Sequence, residues 1–289
     1  MNGTLFVVGI GLIGGSVARG LRESGFCQHV TGVDTDAGNL ARALSLGVID
    51  HACTLDAIRP GAGDIVLLAA PVGSFQGILR ALQPHWHAET LYTDAGSTKL
   101  SVLRALHDIF GEVPCNFVPG HPIAGAEQSG VEASSAVLFD GRRVILTPAS
   151  CTLPAMEDRA RRLWESLGAT VSCMSADEHD EVLAATSHLP HMLAFALTAM
   201  LGRRDETENI FRYAAGGFRD FSRIASSDPV MWADIALANQ SALLDCLRQY
   251  RDTLVELESA IAHADQAALH SFFSEARAAR GRFLQISEK

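Results

Sequence analysis

Val7-Val8-Gly9-Ile10-Gly11-Leu12-Ile13-Gly14-Gly15-Ser16, followed by Val33-Asp34 at the end of the next apolar run, decides the fold. A β-branched run enters a glycine turn, and an amphipathic segment carrying Val17, Leu21, Arg19, Arg22 and Glu23 leaves it. This pattern predicts the first βαβ unit of a dinucleotide-binding domain. Gly9 permits the tight turn, Gly11 lets the backbone approach a pyrophosphate, and Gly14 lets the helix pack close to the strand. The anion would sit at the helix N-terminus, where unpaired N–H groups and the helix dipole favour negative charge. Asp34, after the second strand, is placed to accept hydrogen bonds from a ribose hydroxyl. The plainer alternative is a glycine turn beside a solvated strand-end Asp.

Working outward, the first half alternates strand and helix signals. Strands are expected at Thr4–Val8, Val30–Asp34, Asp64–Ala69, Thr90–Asp94, Asn116–Val118 and Arg143–Thr147, with Ala169–Met174 as a last one. Continuous apolar runs such as Ile65-Val66-Leu67-Leu68-Ala69-Ala70 indicate strands covered on both faces, as in a doubly wound parallel sheet. Helices are expected at Ala37–Leu46, Ser74–Leu82 and Lys99–Phe110. From about Asp177 strand signals stop. Glu178–Leu201 reads as a helix kinked at Pro190, and Asp228-Pro229 as an N-cap and first-turn proline opening a very long helix. On it Leu243, Leu247, Tyr250, Leu254, Leu257 and Ile261 form a heptad-like seam, read as a subunit interface in preference to an intrachain core. The expected organisation is an α/β domain at 1–175 and an all-α domain at 176–289.

The chain of 289 residues has 48% hydrophobic and 19% charged residues, enough for a sizeable core in two domains. A net charge of −10 argues against nucleic acid or an anionic membrane as partner, so an anionic substrate must be held by local cations. Those cations are nearly all Arg; Lys99 and Lys289 are the lysines. The cysteines at 27, 53, 115, 151, 173 and 246 are scattered, which suits reduced thiols in a cytoplasmic protein and makes a structural zinc improbable. The N-terminus reads as lacking a secretory signal, and no apolar run is expected to approach membrane length.

In a doubly wound sheet, ligands collect at the C-terminal ends of the strands. Two loops there carry chemistry: Asp94-Ala95-Gly96-Ser97-Thr98-Lys99 and Pro119-Gly120-His121-Pro122-Ile123-Ala124-Gly125. His121, expected on a turn, titrates near neutrality and can take a proton from a substrate hydroxyl; the alternative is a histidine that caps backbone. Ser97 either donates to the same oxygen or caps the helix starting near Lys99. In the helical half, His188 and His191 are three apart and share a helix face. They read as substrate-binding groups, with core histidines as the alternative and metal ligation disfavoured for want of a third ligand. Gly216-Gly217 precede Arg219 and Arg223, either of which could grip a carboxylate bidentately.

Five blocks occur in order: G-x-G-L-I-G-G-S, D-x-G-S-x-K, G-H-P-I-A-G-x-E-x-S-G, S-H-L-P-H and G-F-R-D-F-x-R-I-A-x-S-D-P-x-M-W. Together they closely resemble the prephenate/arogenate (cyclohexadienyl) dehydrogenases of tyrosine biosynthesis, from Val7 to about Ile235. The resemblance implies NAD-dependent oxidative decarboxylation, with hydride leaving C4 of a cyclohexadienol ring and the ring carboxylate leaving as CO₂. It implies that His121 accepts the C4 hydroxyl proton and that Ser97 orients it. It also implies that Arg223 binds a substrate carboxylate and that His188, His191, Trp232 and Gly217 shape the rest of the substrate site. The cofactor would contact Gly9, Gly11, Leu12, Ile13, Gly14, Asp34, Ala70 and Pro71. Asp34 favours NAD over NADP because a carboxylate repels the 2′-phosphate, although some NADP activity is compatible with the pattern. The resemblance further implies a homodimer through the helical domain. Ala215 stands where many members have a third glycine. With no regulatory segment evident, any tyrosine feedback is expected at the active site. Prephenate and arogenate are not separated by the motifs; Asp180 would suit arogenate's ammonium unless it caps or pairs on its helix. Two rival readings are another two-domain β-hydroxyacid dehydrogenase and a catalytically silent dinucleotide sensor.

Overall fold

The computed structural model describes residues 3–125 and 128–287. Six strands form one parallel sheet: β1 (Thr4–Val8), β2 (His29–Val33), β3 (His51–Ala52), β4 (Ile65–Leu68), β5 (Leu91–Asp94) and β6 (Phe117–Val118), in the order β3-β2-β1-β4-β5-β6. The order reverses between β1 and β4, the switch point at which ligands bind in such sheets. Alternate strand residues bury on opposite faces. Leu5, Val7, Ile65 and Leu67 join one core cluster with Val17 and Leu21 of α1 (Leu12–Glu23). Val8, Val66 and Leu68 join the other with Phe75 and Leu79 of α3 (Phe75–Leu82) and Leu106 of α4 (Leu100–Phe110). Helix α2 (Ala37–Ser45) follows β2 and is capped by the Asp36 carboxylate. Each of these fully buried aliphatic side chains contributes roughly 1.5–3 kcal/mol.

The later strands do not extend this sheet. β7 (Gly120–Pro122), β8 (Arg143–Leu146) and β9 (Thr170–Cys173) make a second, three-stranded sheet in the order β7-β8-β9, with β7 antiparallel to β8. Pro119 ends β6 because it has no N–H for the parallel ladder, while its carbonyl accepts from Thr147 N at 3.0 Å and turns the chain toward β8. His121 is therefore a buried strand residue, which corrects its expected place on a turn. Helix α5 (Pro154–Glu165) sends Leu163 and Trp164 into the first core cluster.

Beyond α6 (Ala176–Leu183), residues Ala184–His188 form a π-helical turn before α7 (Leu189–Glu208). Pro190 lacks the N–H that would bond back within an α-helix, and the widened turn absorbs the defect that the sequence reads as a kink. Counted through the turn, Ala176–Glu208 is long and apolar enough to cross a membrane, contrary to expectation. Its buried His179, Asp180 and His188, however, are hydrogen-bonded within the protein. Next come α8 (Gly216–Ser222) and α9 (Pro229–Ala238), the latter capped by Asp228 with Pro229 in its first turn. The very long helix expected here is broken at Asn239, which leaves helical geometry at φ −110° and ψ 36° and spends its side chain on Asp180 and His188. Helix α10 (Gln240–Ala262) then carries the seam, and α11 (Gln266–Ser287) follows it.

Two compact units result, Met1–Gln240 and Ser241–Lys289. In the second, the seam is unevenly covered: Leu243 is buried, Leu247 and Leu257 are half-buried, and Tyr250, Leu254 and Ile261 are 36%, 46% and 61% exposed. Phe273, Phe283 and Leu284 of α11 are exposed too.

Candidate active site

The glycine turn is built by close approach. Gly9 has φ +98°, and a Cβ there would meet the Ala69 carbonyl carbon and oxygen at 2.7 Å and the Ala70 nitrogen at 2.8 Å. A Cβ on Gly14 would lie 2.1 Å from the Gly9 oxygen, so both positions require glycine for packing. Gly11 differs: nothing lies within 4 Å of a Cβ there. It is the N-cap of α1 and no side chain caps that end, so the N–H groups of Leu12, Ile13 and Gly14 have no partner within the helix. Open space in front of unpaired donors fits a pyrophosphate. Asp34 lies just past β2; its carboxylate accepts from Ile10 N at 3.0 Å, Asn39 Nδ2 at 2.8 Å and Asp36 N at 3.0 Å. Pinned at this strand end, it retains lone-pair capacity for a ribose hydroxyl. Ala70 and Pro71 follow β4 on the adjacent strand.

At the C-terminal end of β5, Asp94 and Lys99 form a fully buried ion pair. Asp94 also accepts from Gly96 N at 2.8 Å and Gly120 N at 3.2 Å, and Lys99 Nζ donates to Gly120 O at 2.6 Å. Burial pushes the Asp94 carboxyl up and the Lys99 ammonium down, against the pull of their mutual attraction. The pair ties the β5–α4 loop to the first residue of β7, next to His121.

His121 is held from a third direction. Its Nδ1 lies 2.8 Å from His179 Nε2, and His179 Nδ1 lies 2.7 Å from Asp180 Oδ1. Asp180 also accepts from Lys99 N at 2.8 Å and Leu100 N at 3.0 Å, so a carboxylate on α6 caps α4. That removes the capping alternative for Ser97, which is half-buried and makes no hydrogen bond among the described residues. It also leaves Asp180 committed to α4 and His179, so the suggested contact with arogenate's ammonium falls. Burial drives the His121 pKa well below 6.5, and the neighbouring His179, Lys99 and His188 disfavour its protonation further, so the imidazole is neutral at neutral pH.

The network continues into the helices. Asn239 Nδ2 donates to Asp180 O at 2.7 Å and lies 3.1 Å from His188 Nδ1. His188 then carries its proton on Nε2, which is buried without a partner among the described residues, as is Trp232 Nε1. Burial lowers His188 to about 4. His191 stacks on Trp232 with ring centroids 3.8 Å apart, and its pKa is lowered by burial and by the charge of Arg223. Arg223 is thus brought to this cluster, at the start of the turn after α8. Gly217 stands in the first turn of α8, with open space around its Cα. Ala126 and Glu127 of the G-H-P-I-A-G block lie outside the described residues.

His188, His191, Trp232 and Arg223 are thus near one another, and Ser97 lies on the loop between Asp94 and Lys99. The sequence pattern assigns no role to His179 or Asn239, and none to Asp94 within its loop. The adjacent His-Asp of Ser175-Ala176-Asp177-Glu178-His179-Asp180 was a visible signal, but nothing in its spacing says that it faces β7. Among the described residues no group of three or more His, Cys, Asp or Glu is arranged to hold a metal.

Residues 17–173 match the family model of the prephenate dehydrogenase nucleotide-binding domain, and residues 175–275 that of the prephenate dehydrogenase dimerization domain. The chain is 38% identical over 281 residues to cyclohexadienyl dehydrogenase of Zymomonas mobilis, covering 95% of this chain and 94% of that one. The crystal structure of Aquifex aeolicus prephenate dehydrogenase with hydroxyphenyl propionate and NAD+ superposes with a TM-score of 0.90 at 36% identity, covering 98% of this chain and 99% of that one. Synechocystis arogenate dehydrogenase gives a TM-score of 0.78 at 28% identity, with 97% and 99% covered. The chain belongs to the prephenate dehydrogenase family.

Proposed function

We infer that this protein is an NAD-dependent oxidoreductase that oxidatively decarboxylates prephenate, arogenate or both, the step that forms 4-hydroxyphenylpyruvate or tyrosine. The observation that carries the reading is a buried neutral histidine, His121, whose neighbour Gly120 is tied by Asp94 and Lys99 to the C-terminal end of β5, in the sheet that carries the glycine cradle. β1 and β5 are two strand spacings apart, about 10 Å, with β4 between them. Gly9–Gly14 and Asp34 would hold a dinucleotide's pyrophosphate and ribose, with Ala70 and Pro71 after the intervening strand β4 also lining its site. Bound NAD supplies the hydride acceptor. His121 takes the hydroxyl proton as hydride leaves the same carbon, Ser97 donates to that oxygen and orients the imidazole, and Arg223 holds a substrate carboxylate. The donors His188 Nε2 and Trp232 Nε1, without partners among the described residues, suit the polar side chain of the substrate, with His191 held against Trp232. Loss of CO₂ makes the ring aromatic, which drives the step forward.

By role, residues 1–175 form the dinucleotide-binding domain and 176–289 the substrate and dimerisation domain. The exposed seam on α10, with Phe273 and Phe283 on α11, supports a homodimer through the helical domain. The unpaired cysteines suit a cytoplasmic enzyme. The test is NADH fluorescence on mixing the protein with NAD and, separately, prephenate and arogenate. Turnover with either is expected, and the ratio of kcat/KM values assigns the native substrate. NAD binding without turnover would overturn the reading in favour of a silent sensor or a different hydroxyacid.

A further inference from the structure

A base is useful only if its lone pair faces the substrate, and the hydrogen bonds behind His121 decide which nitrogen carries that lone pair. Asp180 presents two oxygens to three donors: Lys99 N and His179 Nδ1 on Oδ1, and Leu100 N on Oδ2. As an acceptor, it requires a proton on His179 Nδ1. An imidazole whose single proton is on Nδ1 has a bare Nε2, and that nitrogen of His179 sits 2.8 Å from His121 Nδ1, so the proton between the two rings would belong to His121. That places the lone pair of His121 on Nε2, the nitrogen turned away from His179.

We propose that His179 and Asp180 are positioning residues that hold His121 as its Nδ1–H tautomer, with Nε2 free to accept the substrate proton. Free imidazole side chains do not need this tautomer, so its presence would have to come from the protein. The arrangement resembles the orienting role of the carboxylate in a Ser-His-Asp triad, here extended through a second imidazole. Both members sit on α6, whose Asp180 is anchored at the N-terminus of α4, so the relay is braced by two helices. The other charged or titratable groups around His121 are the Asp94–Lys99 pair from β5 and its following loop and His188 from the π-helical turn. None of these three is hydrogen-bonded to the His121 ring among the described residues.

The proposal rests on the reading of His121 as the base, and the tests separate the two. Two-bond ¹H–¹⁵N correlation spectra of imidazole-labelled wild-type protein, with His121 assigned by its loss in H121N, report the tautomer without turnover. Protonated Nδ1 and bare Nε2 are expected; a protonated Nε2 on neutral His121 would overturn the proposal whatever the kinetics. His179→Leu removes the acceptor. It should lower kcat by roughly a hundredfold, leave the NAD dissociation constant unchanged and convert His121 to the Nε2–H form. His179→Gln, whose amide oxygen can accept the same proton, should recover much of kcat. Wild-type kcat and an unchanged tautomer in His179→Leu would also overturn the proposal. Near-normal turnover in H121N would instead overturn the assignment of the base, while the spectra still decide what His179 does. Should His179→Leu fail to fold, the wild-type spectra alone decide.

Discussion

The cofactor cradle follows β1 and the histidine centre is anchored through Asp94 at the end of β5, two strands away, yet they are built from different materials. The cradle is backbone: a glycine at φ +98°, unpaired N–H groups at the start of α1, and one carboxylate held by backbone and Asn39. The centre is side chain: a buried ion pair, two histidines in contact, a carboxylate shared with a helix end, and an asparagine that closes the network. Backbone geometry tolerates change at any residue whose Cβ has room. A buried side-chain network tolerates little, because removing one member leaves another unsatisfied in a medium of low polarity.

The sharpest way to break that contrast is Lys99→Met, which strands Asp94 as an unpaired buried acid. Urea denaturation should show a loss of about 3–5 kcal/mol, and an unchanged midpoint would mean that the pair does not brace the centre. Acid should act on the same region. His188 at about 4 and His121 well below 6.5 take up protons in the unfolded chain before the folded one does. Stability is thus full above pH 6.5 and falls toward pH 4, by up to about 1.4 kcal/mol per pH unit for each histidine. Thermal midpoints that stay flat from pH 7 to pH 5 would refute this. His121→Asn should lower kcat by roughly a hundredfold, about 2.7 kcal/mol, with NAD affinity retained. Arg223→Ala should chiefly raise KM, by the roughly 1.5–3 kcal/mol of a charge-assisted anchor; a loss confined to kcat would count against that role. Within the cradle, Gly9→Ala should destabilise the fold by about 1–3 kcal/mol. Gly11→Ala should leave stability untouched and weaken NAD about tenfold, or 1.4 kcal/mol. Equal effects at the two glycines would erase the distinction between a packing glycine and a ligand glycine.

The same contrast explains what could be read from the chain alone. Gly9, Gly11, Gly14 and Asp34 lie within 26 consecutive residues, and their task follows from local conformation. The centre draws on residues 94, 99, 121, 179, 180, 188 and 239, and no local rule announces that α6 packs against β7. Loop position points to His121 and Ser97 with their alternatives open, and the family resemblance implies their roles and Arg223 over Arg219. It was silent on His179 and Asn239, whose partners appear only once the chain is folded. The second sheet was missed for a related reason: β7 is three residues long and contains a proline, so neither length nor composition marks it as a strand. The helix break at Asn239 was hidden because the apolar pattern continues across it.

Asp180 holds the start of one helix with the same two oxygens that it offers to His179. Folding and turnover therefore meet in a single codon. Lineages or laboratory libraries that reshape the pocket for a new ring substituent can vary residues that serve the pocket alone. At Asp180, a change that damages the enzyme's chemistry also lowers its abundance, and a compensating mutation must repair both at once.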